Sequence, residues 1–334
     1  MQPLRRLMGL VTAAPLLALV AIAAAQDANI RQPIADLEQL LAAEPLVIAQ
    51  AEISRPKAKG DITLRAIVSF GEAAPLLVKL RKAEPGADTF NNVPRYDIAA
   101  YGLQKLFLDP AEYVVPPTAL RMVPLADFAK YSPGVARTFS AADQVLAVVQ
   151  YWLNDIKVVA DVYNPERFAA DPVYARHIGQ LNVLTYLIRH RDSNLGNFLL
   201  GTAEVGARVF SIDHGVAFAS AESDRGDVWQ DVRVNQLPAD TVERLRQITP
   251  QLLTDRLGVL AQWQLDGRSY APVASGMNLS EHRGVRRSGN SLQMGLTKSE
   301  IREVHRRLTM LLKRVDRGDI TVVPAAAAAT TTSP

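Results

Sequence analysis

The 334-residue sequence has no cysteine. Disulfides and thiolate metal sites are thereby excluded, so the fold has to stand on apolar burial. An excess of charge of one sign is also lacking, since 37 Lys and Arg face 34 Asp and Glu, a formal net charge of +3. Nothing in that balance calls for nucleic acid, and none is expected as a partner. Internal repeats are absent too, which rules out a solenoid or a propeller. With 48% apolar residues the chain is long enough for two core-forming lobes and lacks the composition of a disordered protein.

The N-terminus carries Arg5 and Arg6, an apolar run from Leu7 to Ala25, and small residues before the polar Gln26. This is the three-part layout of a secretory signal. Residues 1–25 are read as a cleaved signal peptide, with the mature chain exported to a periplasm or secreted. An uncleaved anchor helix is the alternative, although the run is barely long enough to span a bilayer. In both cases the basic pair stays inside and everything downstream is sent outward. Loss of Arg5 and Arg6 leaves 35 basic against 34 acidic residues, and no transmembrane span is expected in what remains.

Ile34, Leu37, Leu40 and Leu41 lie at helical spacing within residues 26–45. Three Val- and Ile-rich runs follow, Leu46 to Ile53, Ile62 to Phe70 and Pro75 to Leu80. They are separated by Ser54 to Gly60 and by Gly71-Glu72, and read as a three-strand meander. Arg95 to Phe107 reads as a helix and Thr118 to Leu125 as a further strand. Beyond residue 125 the pattern turns helical. Asp171-Pro172 supplies an N-cap and a first-turn proline for a helix through Tyr174, Ile178, Leu181, Leu184 and Ile188. Phe198 to Leu200 and Arg208 to Ile212 read as a β-hairpin. The last helix opens on the capping box Thr297 to Glu300 and ends before Gly318. The expectation is an α+β chain in two lobes, a β-rich lobe with one main helix over 26–125 and a mostly helical lobe over 126–322. The interlobe hinge is placed near Val123 to Phe128. Residues 275–293 read as a mobile stretch, and 323–334 as a disordered low-complexity tail.

The chemistry concentrates in Arg189-His190-Arg191-Asp192-Ser193-Asn194-Leu195-Gly196-Asn197 and, after the hairpin loop, in Ile212-Asp213-His214-Gly215. A carboxylate leaves a helix end, an amide follows five residues later, and a second carboxylate ends a strand before glycine. Phosphoryl transfer needs such a set. One acid orients or deprotonates the attacking hydroxyl, and a carboxylate with an amide oxygen holds the hard cations on the phosphates. Asp192 fits the first role, Asn197 and Asp213 the second. Gly215 lets the backbone turn after the metal ligand.

In this order and spacing the chain resembles the protein-kinase-like superfamily, and within it the atypical branches. D-x-x-x-x-N followed by Ile-Asp-x-Gly is similar to the phosphatidylinositol 3- and 4-kinases and to the secreted Golgi casein-kinase and Four-jointed group. Those families show Asp-Arg-His at the catalytic position, where this chain reads Asp192-Ser193-Asn194. The resemblance spans roughly residues 46–320. It implies a two-lobed kinase-like fold, ATP between the lobes, and one or two Mg2+ or Mn2+ ions. It further implies Lys79 as the lysine on the α- and β-phosphates, and Asp97, in place of the family's glutamate, as its acidic partner on the helix. Lys57, Lys59 and Gly60 then fall in the loop that covers the phosphates, a loop with a single glycine.

Each of these residues also has a plainer reading. Lys79 suits an edge strand that resists aggregation, and Asp97 a helix N-terminus. His190 suits a packed brace for the catalytic loop, and the basic face of the last helix a solvated surface. Three activities share the motif set: transfer of the ATP γ-phosphoryl group to a protein, lipid or sugar hydroxyl, nucleotide binding without turnover in a pseudokinase, and transfer of AMP.

Overall fold

The computed structural model describes residues 28–42, 45–54, 62–89, 92–193, 196–218 and 227–324. The expected signal peptide, the loop residues Lys57, Lys59 and Gly60, and the tail beyond Pro324 lie outside them. Among the described residues no helix is long and apolar enough to cross a membrane.

After helix α1 (Ile34–Ala42), strands β1 (Leu46–Ile53), β2 (Thr63–Phe70) and β3 (Leu76–Lys82) form the expected antiparallel meander. Alternation along β2 buries Leu64, Ala66, Val68 and Phe70. On β3 it buries Leu76, Val78 and Leu80 in the same core and turns Lys79 and Arg81 to the opposite face. Helix α2 (Pro94–Gln104) follows, with proline in its first turn. Next come β4 (Thr118–Pro124), the short α3 (Leu125–Ala129) and β5 (Gln144–Tyr151).

Strand β5 corrects the sequence reading. It inserts between β3 and β4, giving a five-stranded sheet in the order β1-β2-β3-β5-β4. The N-terminal sheet thus runs on to Tyr151, past the segment Val123 to Phe128 that was read as the hinge. The physical reason lies in burial: all of β5 but Gln144 is buried, so its apolar run belongs to a strand covered on both faces.

The second lobe is built around α5 (Pro172–Ile188), preceded by β6 (Ile156–Val158) and α4 (Pro165–Ala170). Asp171 caps α5 by accepting from the backbone N–H groups of Val173 and Tyr174. The hairpin β7 (Phe198–Gly201) and β8 (Val209–Ser211) forms as read, with β6 alongside β7. Strand β9 (Gln236–Pro238) leads into α6 (Ala239–Arg246) and α7 (Pro250–Leu257). It pairs in parallel with the last strand, β14 (Thr321–Val323), so that strand rather than a loose tail occupies Val323.

A four-stranded sheet not foreseen in the sequence, β10 (Ala261–Asp266), β11 (Ser269–Pro272), β12 (Val285–Ser288) and β13 (Ser291–Met294), runs in the order β11-β10-β13-β12. Its β12 and β13 occupy the latter half of the stretch 275–293 that was expected to be mobile, while 275–284 lies outside any strand or helix. Trp263, Tyr270, Leu292 and Met294 from this sheet pack with Met122 and Leu146 of the N-terminal sheet. A segment late in the chain therefore covers the first lobe.

Helix α8 (Lys298–Asp316) starts with the predicted capping box, and Gly318 adopts the left-handed conformation past its end. Its first turn fixes α2. Arg95 Nη1 donates to Glu300 Oε2 at 2.7 Å and Nη2 to Oε1 at 3.0 Å, while the Tyr96 hydroxyl donates to Oε1 at 2.5 Å. All three side chains are buried. Burial works to raise the Glu300 carboxyl, and the Arg95 guanidinium outweighs it and holds the group ionised. Removing one partner of such a pair strands the other charge away from water. Arg95→Ala is expected to lower the unfolding free energy by about 3–5 kcal/mol in urea titrations, and Arg95→Leu with Glu300→Leu to recover most of it. Equal losses in the single and double replacements would show that the ion pair is not what holds α2.

Candidate active site

The site lies where β3, α2 and the end of the β7–β8 hairpin meet. Lys79 and Arg81 reach it because residues two apart on a strand share a face. Asp97 reaches it from the first turn of α2, a helix buried at every position but Ile98 and Gly102. Asp192 and Asn197 come from the loop after α5, which ends with Arg189 in the left-handed conformation. Asp213 follows β8 and is itself left-handed, with φ of 62°. A non-glycine residue in that region carries a steric cost, and two of them, Arg189 and Asp213, lie on either side of the Asp192–Asn197 segment.

Asp213 is held by two cations. Lys79 Nζ bonds its Oδ1 in a short contact, and Arg81 Nη1 donates to the same oxygen at 3.2 Å. Burial works to raise this carboxyl, but the charges of Lys79 and Arg81 outweigh it and hold the group well below the usual carboxylate range. Asp213 is an anion whose charge is already matched.

The acidic partner expected for Lys79 is engaged elsewhere. Asp97 makes a short ion pair with Arg81 Nη2, and its Oδ1 accepts the backbone N–H of His214 at 3.0 Å. Burial pushes the Asp97 carboxyl up; Arg81 opposes the shift and the charge of Asp213 adds to it. Lys79 and Asp97 therefore stand in one network, joined through Arg81 and Asp213 rather than directly. The reason is reach: Asp97, a methylene shorter than glutamate, meets the long guanidinium two residues further along β3.

Arg81 is the residue that the sequence reading missed. The signal was present in Leu76-Leu77-Val78-Lys79-Leu80-Arg81, where strand alternation puts both cations on the cleft face. Gly215 belongs to the same arrangement: a Cβ built there would lie 3.0 Å from both terminal nitrogens of Arg81. The glycine leaves room for the guanidinium as well as for the turn.

On the other side, Asn197 Nδ2 donates to the backbone oxygen of Asp192 at 2.6 Å and to its carboxylate Oδ2 at 3.0 Å. These bonds orient the Asp192 carboxylate and occupy the amide nitrogen of Asn197 rather than its oxygen. Hairpin register brings this pair to Asp213, because Phe198 pairs with Ser211 and Ile212 N–H donates to Asn197 O at 2.9 Å. The four groups singled out in the sequence, Lys79, Asp192, Asn197 and Asp213, thus meet in one place.

His190 and His214 lie fully buried behind Asp213, ring centroids 4.9 Å apart, and Ser211 Oγ lies 2.9 Å from His214 Nε2. Burial lowers His190 to about 4 and His214 well below its ordinary value, so both are neutral near pH 7. His190 also meets Phe198 edge-on. It packs the loop, in keeping with the plainer reading of that residue.

Among the described residues no group of three or more His, Asp or Glu converges as a preformed metal site. The oxygen donors at the end of the hairpin suit a nucleotide-borne divalent ion. Asp213 and Asn197 supply hard oxygens, and phosphate would supply the remaining ligands. The cation now on Asp213, Lys79, sits on a flexible stem that can give way.

No protein-family model matches the chain, and no curated protein matches it in sequence. Its three-dimensional likeness is to solved kinases. The crystal structure of the Golgi casein kinase aligns with a TM-score of 0.55 over 87% of this chain and 78% of that one, at 15% identity. The same kinase with Mn/ADP bound aligns with a TM-score of 0.54 over 86% and 78%, again at 15% identity. At that identity the likeness is one of fold: the chain is an α+β protein with the two-lobed, protein-kinase-like fold found in the Golgi casein kinase.

Proposed function

We propose that the protein is an exported atypical kinase that moves the γ-phosphoryl group of ATP to a hydroxyl of a protein, lipid or sugar, using Mg2+ or Mn2+. The observation that carries this reading is the meeting of Lys79 and Asp213 with the Asp192–Asn197 pair at the end of one hairpin. A protein built only to bind would not need an oriented carboxylate beside a matched cation and anion. The Mn/ADP complex of a fold relative supports the choice of nucleotide and metal. That relative is named for the Golgi, a compartment on the export route, which agrees with the signal-like N-terminus.

Each residue has a distinct task. Lys79 moves from Asp213 to the α- and β-phosphates and offsets their charge. Asp213 and the Asn197 amide oxygen would hold the divalent ion, which would supply positive charge to the transferred group. Asp192, oriented by Asn197, accepts the proton of the attacking hydroxyl. Arg81 and Asp97 keep Asp213 and α2 in register.

Incubation with γ-labelled ATP, Mn2+ and a panel of hydroxyl acceptors tests the reaction, and mass spectrometry separates an added phosphate from an added AMP. Phosphate is expected; AMP on the product would replace the kinase reading with nucleotidyl transfer. Asp192→Asn is expected to lower transfer roughly 10²–10⁴-fold with nucleotide affinity kept. Nucleotide binding with no transfer by the unaltered protein would leave a pseudokinase. Lys79→Met is expected to weaken ATP binding more than it slows turnover, which KM and kcat measured separately will show, and Asp213→Asn to abolish Mn2+-dependent binding of ATP. Equal turnover by unaltered protein and Asp192→Asn would remove Asp192 from the chemistry.

A further inference from the structure

Lys79 and Arg81 both donate to Oδ1 of Asp213, but they are not equivalent cations. Among the described contacts the Lys79 ammonium bonds only this carboxylate. Its stem can rotate toward a phosphate and leave Asp213. Arg81 is fixed from three sides. Its Nη2 is paired with Asp97, its guanidinium lies over Gly215 at a distance that a Cβ would close, and its side chain is 9% exposed. Movement of Arg81 away from Asp213 would pull it from the buried Asp97 as well, leaving that carboxylate uncompensated away from water.

Two-metal kinase sites ask more of the carboxylate before the glycine. It serves both ions, one of them together with the asparagine of the catalytic loop. Here one oxygen of that carboxylate is capped by a guanidinium that does not leave. A divalent ion placed on Oδ1 would sit beside a fixed positive charge in a part-buried cleft, where repulsion is weakly screened. Oδ2, together with the amide oxygen of Asn197, remains for a metal.

We infer that Arg81 is a resident cation that takes the place of one divalent ion, so that the site binds a single Mg2+ or Mn2+ per nucleotide. The inference rests on the kinase reading above and deepens it. Arg81 is a positioning residue: it holds Asp213 through one oxygen and presents the other. Gly215 gives it room, since a Cβ there would lie 3.0 Å from both terminal nitrogens and the guanidinium would have to shift by a few tenths of an ångström.

The test counts metal ions. Mn2+ is titrated into the full protein saturated with AMP-PNP, a non-hydrolysable ATP analogue, and free Mn2+ is read from its electron paramagnetic resonance signal. One Mn2+ per bound nucleotide is expected; two would overturn the inference while leaving the kinase reading intact. Arg81→Met removes the charge and keeps the length, and is expected to raise the count from one to two. Because that change strands Asp97, Arg81→Met with Asp97→Asn is measured beside it and is also expected to bind two. A count of one in a folded variant that binds AMP-PNP would show that Arg81 is not what excludes the second ion. Failure of AMP-PNP to bind the unaltered protein at any Mn2+ concentration would remove the kinase reading and this inference together.

Discussion

The carboxylate of Asp213 is the point on which the rest of the site depends. It sits at the end of a short strand, in a left-handed backbone conformation, between a lysine and an arginine from another lobe. A lone carboxylate in that place would be forced toward its neutral form by burial. The two cations prevent this, and the group is kept as the anion that a metal or a lysine can bind. Every neighbouring element can be understood as holding one of the three charges in place.

Arg81 in turn depends on Asp97, and Asp97 on the immobility of α2. That helix packs against β4 and β5 on one side and against α5 and α7 on the other. Its first turn is joined to the start of α8 through Arg95, Tyr96 and Glu300. The backbone adds two more ties, from His214 N–H to Asp97 and from Val93 N–H to the carbonyl of Gly215 at 3.3 Å. A helix held at both lobes cannot swing freely between positions. The acid of α2 therefore stays where Arg81 needs it, and the geometry of Asp213 follows from packing laid down far from the cleft.

The late sheet β10–β13 serves the same end from outside. Trp263, Leu292 and Met294 close the apolar face left by Met122 and Leu146 of the first sheet. Leu146 of β5 is buried there, and β5 pairs with β3 from Val78 to Lys82, the segment that carries Lys79 and Arg81. The lobes are thus not consecutive halves of the chain. Sequence order suggested a division at residue 125, and packing crosses that boundary at β5, at the late sheet and at α2.

Much of this was legible before any coordinates. The meander β1–β3 followed from alternation, α5 from the Asp171-Pro172 start, α8 from its capping box, and the hairpin from two short apolar runs around glycines. The residues Asp192, Asn197 and Asp213 were identifiable because their spacing is local: a helix end, a five-residue step from Asp192 to Asn197 and a hairpin determine where they fall. Lys79 was legible as a strand cation. The partners of these groups were not. That Arg81, rather than Lys79, takes Asp97 depends on the distance between a strand and a helix. That β5 belongs to the first sheet depends on which apolar run finds an open edge. Local periodicity encodes what a segment becomes, because backbone geometry repeats every two or 3.6 residues. It carries no record of which segments meet. Pairing across the cleft was decided only by the packed tertiary structure, in which burial matched each charge to the partner within its reach.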